Sequence, residues 1–325
     1  MKILITGANG FVGSHITEAL AAANHQVVCS VRKTSDLSRL KDFPVSYIYG
    51  DLSDGNFLES AVKGVDAVIH CAGAVRAMNK KEYFRSNVEN TKNLCKAVLK
   101  ANPGLKKFVF ISSQAAMGPS SADILRNVSD KEIPVSDYGI SKLEAEREVK
   151  KLLGGKVRFT VLRPASVYGP GDKDIFIFFN LVHKRLRPVT VKKRFIQLVY
   201  VKDVANAAVL SLENPKTDNN TYYLAQETSY TWADVGRVIS AAMDRKAVPV
   251  PLGDFIFKFA GAIAQSVSHI TKKPAVLNKQ KIREMLQERW TADNAAAKKD
   301  LPIEFTKLEI ASKITYNWYL RNKWF

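Results

Sequence analysis

Cysteine is scarce in this chain of 325 residues, which contains only Cys29, Cys71 and Cys95. The scattered positions of the three thiols match no metal-ligand spacing, so reduced and partly buried thiols of a cytoplasmic protein are expected. The five histidines form no i, i+4 pair. No metal site is therefore predicted.

Long apolar runs are also missing, and the N-terminus shows no secretory signal. No stretch reaches the ~18 apolar residues that a membrane-spanning helix needs. The nearest is residues 255–267, which Lys258 and Gln265 interrupt. We predict that this segment is an amphipathic cover over a substrate pocket, with peripheral contact to an acidic membrane surface. A plain core helix is the alternative.

Acidic residues are outnumbered, with 31 Asp and Glu against 49 Lys and Arg, which gives a net charge of +18. Such an excess favours anionic partners, whether a phosphorylated cofactor, a nucleotide substrate, an acidic lipid or a nucleic acid. The chain carries no nucleic-acid-binding motif and no basic stripe interleaved with aromatic residues. A nucleic acid partner is therefore not expected.

Short β-branched runs alternate with amphipathic helical stretches in the first half of the chain. The predicted strands are residues 2–6, 26–31, 45–49, 67–70, 107–112 and 158–163, and the predicted helices include 12–23, 57–62 and 83–99. This alternation predicts an α/β fold, a Rossmann doubly wound parallel sheet with a smaller C-terminal substrate domain. We expect a dinucleotide-binding domain at 1–165, a segment at about 195–225 that packs back on it, and a substrate-binding region at 166–325.

Three glycines, Gly7, Gly10 and Gly13, follow the first predicted strand and open the first predicted helix, in the segment TGANGFVG. Gly7 permits a tight turn, Gly10 lets the backbone approach a pyrophosphate, and Gly13 lets the helix pack close to the sheet. The helix N-terminus supplies free N–H groups and a partial positive charge for phosphates. The segment therefore predicts dinucleotide binding.

The Gly-x-x-Gly-x-x-Gly spacing resembles that of the extended short-chain dehydrogenase/reductase superfamily, the NAD-dependent epimerase/dehydratase family. The resemblance continues, in the family's order, through GDL at 50–52, HCAG at 70–73, NVENTKNL at 87–94 and LRPASVYGPG at 162–171. Together these motifs span roughly the first 210 residues. Within the superfamily the chain is most similar to dihydroflavonol reductases and 3β-hydroxysteroid dehydrogenases.

The resemblance implies a set of cofactor-binding residues, in which Asp51 contacts adenine. The implied residues are Gly7, Asn9, Gly10, Phe11, Val12, Gly13, Arg32, Lys33, Asp51, Leu52, Ala72, Tyr138, Lys142, Pro164 and Val167. A small-molecule substrate is the expected partner, and family members often pair helices into a homodimer.

Tyr138 and Lys142 lie four residues apart, which places them on one face of a helix. A tyrosine with its ordinary pKa near ~10 is a poor base at neutral pH. A lysine ammonium about 4 Å away can lower that pKa by stabilising the phenolate. The family resemblance implies a catalytic set of Ser, Tyr and Lys, with Tyr138 as the acid/base and Lys142 as its partner. Its third member is a hydroxyl at the end of the fifth strand. Alignment to Gly118 in the family's manner assigns it to Ser113, with Ser112 as the less favoured candidate.

The cofactor is predicted to be NADP(H), with NAD(H) as the alternative. An NAD enzyme usually ends its second strand with a carboxylate that binds the ribose 2′-hydroxyl. Here that strand ends in CSVRK, so Arg32 and Lys33 occupy this region and the nearest carboxylate is Asp36. Arg32 could bind a 2′-phosphate through a charge-assisted fork.

The sequence predicts an NAD(P)-dependent oxidoreductase that transfers hydride between nicotinamide and a secondary alcohol or ketone. Two alternatives remain open. A nucleotide-sugar epimerase would use the same Ser-Tyr-Lys set, and a non-catalytic dinucleotide-sensing protein could share the fold.

The residues after Ser113 argue against a dehydratase, because a dehydratase needs a second acid/base pair. The dehydratases of the superfamily resemble one another in placing Asp-Glu there, whereas this chain has Gln114 and Ala115. Epimerases often carry an asparagine three residues after the arginine that ends the sixth strand; here Ser166 follows Arg163 at that spacing. For Arg163 two roles remain open: contact with a substrate phosphate, or a structural ion pair.

Overall fold

The computed structural model describes residues 1–121, 124–256, 259, 261, 270–271 and 279–325. The strands are β1 (Lys2–Thr6), β2 (Gln26–Val31), β3 (Val45–Tyr49), β4 (Ala67–His70), β5 (Lys107–Ile111), β6 (Phe159–Pro164), β7 (Ser166–Tyr168), β8 (Leu186–Thr190), β9 (Phe195–Ile196), β10 (Leu198–Tyr200), β11 (Asn220–Leu224), β12 (Tyr230–Thr231), β13 (Val248–Leu252) and β14 (Arg289–Trp290).

The helices of the described residues are α1 (Phe11–Ala22), α2 (Gly55–Val62), α3 (Lys80–Tyr83), α4 (Asn90–Ala101), α5 (Asp137–Leu153), α6 (Phe176–His183), α7 (Val201–Glu213), α8 (Trp232–Ala242), α9 (Lys279–Met285), α10 (Ala295–Asp300) and α11 (Leu308–Arg321). A π-helical segment, Phe84–Glu89, joins α3 to α4, and short 3₁₀ segments lie at Gln114–Ala116 and Pro215–Thr217.

Seven parallel strands form the central sheet in the order β11-β6-β5-β4-β1-β2-β3. Strands β4 and β5 are buried along their whole length, as expected for strands covered on both faces. The order confirms the predicted doubly wound Rossmann sheet. Because the strand order reverses between β1 and β4, a crevice opens at the carboxyl ends of these strands, where such sheets bind ligands.

Apolar side chains cover both faces of the sheet. On one face, Ile16 of α1 and Val204 of α7 pack in the same cluster as Ile5 of β1. On the other face, Leu94 of α4 and Val149 of α5 pack with the opposite side chains of the same strands. Helix α7 packs against α1, and after it the chain adds β11 beside β6 as the edge strand of the main sheet.

A smaller unit is built mainly from residues after β6. Helices α6, α8 and α11 enclose Phe179, Ile239 and Tyr319 in a separate apolar cluster. Strands β8 and β13 pair in parallel, and β9 lies between β12 and β14. The predicted cover at 255–267 falls largely outside the described residues. None of the helices in the described part of the chain has the length and apolar character needed to span a bilayer.

Candidate active site

A cavity of about 940 Å³ lies at the carboxyl ends of the central strands. Thr6 at the end of β1, Cys71 after β4 and Ser112 after β5 line one end of it. The opposite end is lined from the smaller unit, by Phe178 and Trp290 among others. The crevice predicted by the strand order is therefore continuous with a second chamber.

The glycine loop has the geometry of a phosphate cradle. Gly7 has a φ of +72°, and a Cβ atom there would lie 2.6 Å from the backbone nitrogen of Ala72. Helix α1 begins at Phe11 with Gly10 as its N-cap, and no side chain caps its first N–H groups. Gly13 packs against the carbonyl of Gly7. Free N–H groups at a helix start beside a side-chain-free loop fit a dinucleotide pyrophosphate.

Helix α5 carries two of the three predicted catalytic side chains. Its N-cap is Ser136, whose hydroxyl accepts a hydrogen bond from the backbone of Gly139 at 3.0 Å. Tyr138 therefore lies in the first helical turn and Lys142 in the second, and both line the cavity. Gly139 permits close approach to the preceding loop, since a Cβ atom there would lie 2.4 Å from the carbonyl oxygen of Ala115.

Ser113 follows β5 and lines the same cavity. Its hydroxyl oxygen accepts a hydrogen bond from the backbone of Ala115 at 3.1 Å, which leaves its proton for another oxygen. The Ser113 hydroxyl also acts to lower the pKa of Tyr138. The structure thus brings Ser113, Tyr138 and Lys142 to one wall.

Burial dominates the ionisation of the tyrosine and the lysine. It raises the pKa of Tyr138 well above its ordinary value and lowers the pKa of Lys142 to about 8. The Lys142 ammonium donates to the carbonyl oxygen of Ile111 at 2.7 Å and lies 4.3 Å from the ring centroid of Phe110. The sequence predicts that Lys142 lowers the pKa of Tyr138. In the structure, burial of Tyr138 raises its pKa by more than the neighbouring groups of the chain lower it. Tyr138 accordingly holds its proton at neutral pH.

Asn87 is a site residue whose role the sequence alone does not assign. It lies in the π-helical segment, where its side-chain oxygen accepts from the backbone of Ala74 at 2.7 Å. Its amide nitrogen donates to the carbonyl oxygen of Ala74 at 3.1 Å and to the hydroxyl of Ser141 at 2.8 Å. Asn87 therefore holds the loop after β4 against α5. The signal in the sequence that could have identified Asn87 is a polar amide side chain on the face of the predicted 83–99 helix that is expected to be buried.

Comparison with known proteins agrees with this geometry. Residues 3–225 match the model of the NAD dependent epimerase/dehydratase family. The chain belongs to this family. It is an NAD-dependent enzyme of the extended short-chain dehydrogenase/reductase type, so the alternative of a non-catalytic sensing protein is wrong.

Relatives within the family carry out different reactions. The chain is 27% identical over 323 residues to a ceramide reductase of Caulobacter vibrioides, covering 99% of this chain and 95% of that protein. It is 29% identical to a UDP-glucose 4-epimerase of Vibrio cholerae, covering 81% and 82%. The crystal structure of gox2253 superimposes with a TM-score of 0.81 at 25% identity, covering 98% of each chain. The family thus establishes NAD-dependent reductase, dehydrogenase or epimerase chemistry.

Ser112 and Arg163, the two other candidates near the site, belong to a buried network. The Arg163 guanidinium binds Glu146 through two hydrogen bonds of 2.9 and 2.6 Å. The Ser112 hydroxyl donates to the same carboxylate at 2.5 Å. Because Glu146 binds both side chains, Arg163 forms a structural ion pair and the Ser112 hydroxyl is already engaged.

His70 is likewise structural in this family member. Its Nδ1 lies 2.7 Å from the hydroxyl of Thr6 and its Nε2 lies 2.8 Å from that of Thr91. Thr91 donates its own proton to the carbonyl oxygen of Asn87, so Nε2 carries the ring proton and donates to Thr91. Burial lowers the pKa of His70 to about 3. The neutral imidazole links β4 to β1 and α4 under the cradle.

The predicted adenosine end of the cavity is formed by the loops after β2 and β3. Arg32 and Asp51 of these loops line the cavity, and elsewhere the lining includes Leu52, Ala72, Pro164 and Val167 of the residues implied by family resemblance. Lys33 is exposed and is not among the lining residues. The carboxylate of Asp36 accepts from the backbone of Ser38 at 2.9 Å, outside the cavity lining.

Proposed function

We propose that the chain is an NAD(P)-dependent oxidoreductase that transfers hydride between nicotinamide and a secondary alcohol or ketone of an uncharged, largely apolar substrate. The observation that carries this proposal is the shared cavity. One wall presents Ser113, Tyr138 and Lys142, and the chamber beyond them is mainly apolar. A bound dinucleotide would supply the hydride acceptor or donor.

In the reducing direction, Tyr138 donates its proton to the substrate oxygen as the carbonyl becomes an alcohol, and in the oxidising direction it takes that proton back. The raised pKa of Tyr138 suits the donor role. The hydroxyl of Ser113 holds the same oxygen by a hydrogen bond. Lys142 is positively charged below about pH 8, so it would supply a cation to the nicotinamide ribose of a bound dinucleotide and would favour the phenolate left by proton transfer.

The basic side chains of the substrate chamber argue against a nucleotide sugar. Within the described lining, three cations remain once Arg32 and Lys142 are assigned to the dinucleotide, and each has a carboxylate partner. The pairs are Arg76 with Asp174, Arg194 with Asp254 at 2.7 Å and Lys281 with Glu284 at 3.3 Å. A diphosphate would have to compete with these carboxylates for its counter-charges. An uncharged substrate meets no such cost.

The chamber wall is suited to hydrocarbon. Its large apolar residues include Phe178, Leu181, Trp232, Leu252, Met285 and Trp290. Burial of hydrocarbon against such a surface stabilises binding by about 25 cal/mol per Å². The similarity to a ceramide reductase, which covers nearly all of both chains, supports a lipid-like carbonyl substrate.

The proposal is tested with purified enzyme, NADPH or NADH, and a series of ketones of increasing alkyl length that ends in a 3-keto-sphingoid amide. We expect nicotinamide oxidation whose KM falls as the chain lengthens. UDP-glucose serves as the comparison substrate. Interconversion of UDP-glucose and UDP-galactose, with no ketone reduced, would overturn the proposal.

A nucleotide-sugar epimerase is the second candidate, because the Vibrio cholerae relative is an epimerase and the catalytic set would be the same. An epimerase retains its dinucleotide through the cycle, whereas a reductase exchanges it at every turnover. Gel filtration of enzyme loaded with dinucleotide distinguishes the two. Release of the dinucleotide during passage through the column supports the reductase.

We predict that the enzyme binds NADPH more tightly than NADH, because Arg32 lines the predicted adenosine end and the lining carries no carboxylate from the end of β2. A charge-assisted hydrogen bond contributes roughly 1.5–3 kcal/mol. Arg32→Ala should therefore weaken NADPH binding by about 10–100-fold and leave NADH binding nearly unchanged. Fluorescence titration gives both dissociation constants.

Lys33→Ala is the matched control, since Lys33 is basic and adjacent but exposed and outside the lining. We expect a smaller effect of this change on NADPH binding. Tighter binding of NADH by the unsubstituted enzyme would contradict the predicted preference.

A further inference from the structure

Large apolar side chains are exposed beside the substrate chamber. Phe255 is 76% exposed and Phe259 is 59% exposed, and their rings stack with centroids 6.1 Å apart. Val191, the residue directly after β8, is 69% exposed. Isolated exposed apolar residues are common, but adjacent aromatic rings in water indicate a contact surface.

This exposed surface continues directly from the wall of the cavity. Thr190 of β8 and Leu252 of β13 are register partners, and both line the cavity. The next residue, Val191, donates its backbone N–H to the carbonyl oxygen of Leu252 at 3.2 Å and faces solvent. We name the exposed apolar residues that follow the cavity-lining ends of β8 and β13 the rim: Val191, Phe255, Ile256 and Phe259.

The sequence around the rim is strongly basic. Between Asp174 and Asp203 there is no acidic residue, while seven lysines and arginines occur: Lys184, Arg185, Arg187, Lys192, Lys193, Arg194 and Lys202. Residues 255–283 contain six Lys and Arg and no Asp or Glu. Asp254, the carboxylate next to Phe255, is paired with Arg194 at 2.7 Å and lies 3.6 Å from Lys192. Lys192 and Lys193 directly follow Val191 and are exposed, so the described part of the rim is an apolar surface with a cationic flank.

We propose that the rim docks the enzyme on the surface of an anionic lipid bilayer. Aromatic and aliphatic side chains enter the boundary between headgroups and acyl chains, and flanking lysines and arginines attract acidic headgroups. Neither feature alone would select this partner, because an apolar patch also suits a protein and a basic patch also suits a nucleic acid. Their combination at the mouth of an apolar chamber fits a membrane surface.

Docking would explain how a poorly water-soluble substrate reaches the catalytic wall. The chamber wall and the rim share the β8–β13 ribbon, so a lipid could pass from the bilayer to the cavity along an apolar path. This role rests on the proposed function, whereas docking itself is measured without turnover.

Sedimentation with vesicles tests the proposal on the full-length chain. We expect binding to vesicles of phosphatidylcholine mixed with phosphatidylglycerol, much weaker binding to phosphatidylcholine alone, and a decrease with added salt. The double variant Phe255→Ser/Phe259→Ser should bind at least about tenfold more weakly. Neither phenylalanine lines the cavity, so activity on a short water-soluble ketone should be unchanged.

Matched controls separate the rim from the rest of the surface. Ile310→Ser/Ile314→Ser removes two exposed apolar residues with the same four-residue spacing, on α11, and should bind vesicles normally. Lys192→Glu/Lys193→Glu should weaken binding to anionic vesicles, whereas Lys150→Glu/Lys151→Glu, another exposed lysine pair on α5, should have a smaller effect.

Three results would overturn the proposal: no sedimentation with anionic vesicles, equal binding by the rim variant and the unsubstituted chain, or loss of a dimer in the rim variant without vesicle binding. The last result would identify a second copy of the chain as the occupant. Vesicle binding by an enzyme that reduces no ketone would instead refute the proposed function and leave docking intact.

Discussion

Replacement of Tyr138 by phenylalanine is expected to lower kcat by about 10²–10⁴-fold, the usual contribution of general acid–base catalysis. In the proposed reaction Tyr138, which lines the cavity, gives a proton to the substrate oxygen, and its burial keeps that proton in place until transfer. The variant removes one oxygen atom and keeps the ring, so dinucleotide affinity should remain nearly intact. Steady-state kinetics on an identified ketone and fluorescence titration of NADPH measure the two effects.

Tyr83 provides the control. Its ring centroid lies 6.2 Å from that of Tyr138, it lines the same cavity, and its hydroxyl donates to the carbonyl oxygen of Val75 at 3.3 Å. Tyr83→Phe should therefore reduce kcat far less than Tyr138→Phe. Near-normal turnover by Tyr138→Phe, or equal losses in the two variants, would show that the proton comes from another group.

The parts of the site that follow from the sequence are those fixed by short-range geometry. Gly7, Gly10 and Gly13 form the connection between the end of β1 and the start of α1. A tight turn followed at once by a helix start leaves the backbone few possible conformations there. Tyr138 and Lys142 share a helix face because their spacing of four matches the helical period. The order of the sheet follows as well, since alternating strands and helices admit few arrangements.

Long-range partners are what the sequence could not supply. The choice between Ser112 and Ser113 depends on Glu146, which lies 34 positions from Ser112 and takes its hydroxyl. From the sequence alone, Arg163 could equally bind a substrate phosphate. The structure shows that it binds the carboxylate of Glu146 instead. The predicted single helix at 83–99 is instead three segments, because the π-helical turn presents the amide of Asn87 to the loop after β4.

The ion pair between Arg163 and Glu146 joins β6 to α5, the helix that carries Tyr138 and Lys142. Arg163 lies on β6 directly before Pro164, Glu146 lies on α5 one turn beyond Lys142, and the carboxylate also accepts from Ser112 at the end of β5. Both charged side chains are almost completely buried. Replacing one partner of such a pair leaves the other charge without compensation in a medium that solvates it poorly.

Arg163→Met should therefore lower the free energy of unfolding by about 3–5 kcal/mol, the cost of an unpaired buried charge. Urea denaturation followed by circular dichroism measures this change. Arg147→Met is the matched control, because Arg147 forms a half-exposed pair with Glu144 on the same helix, and its loss should be below about 1 kcal/mol. The double variant Arg163→Met/Glu146→Gln should recover part of the stability, since neither charge of this pair then remains buried without its partner. A loss under about 1 kcal/mol in Arg163→Met, combined with a raised KM, would instead assign Arg163 to substrate binding.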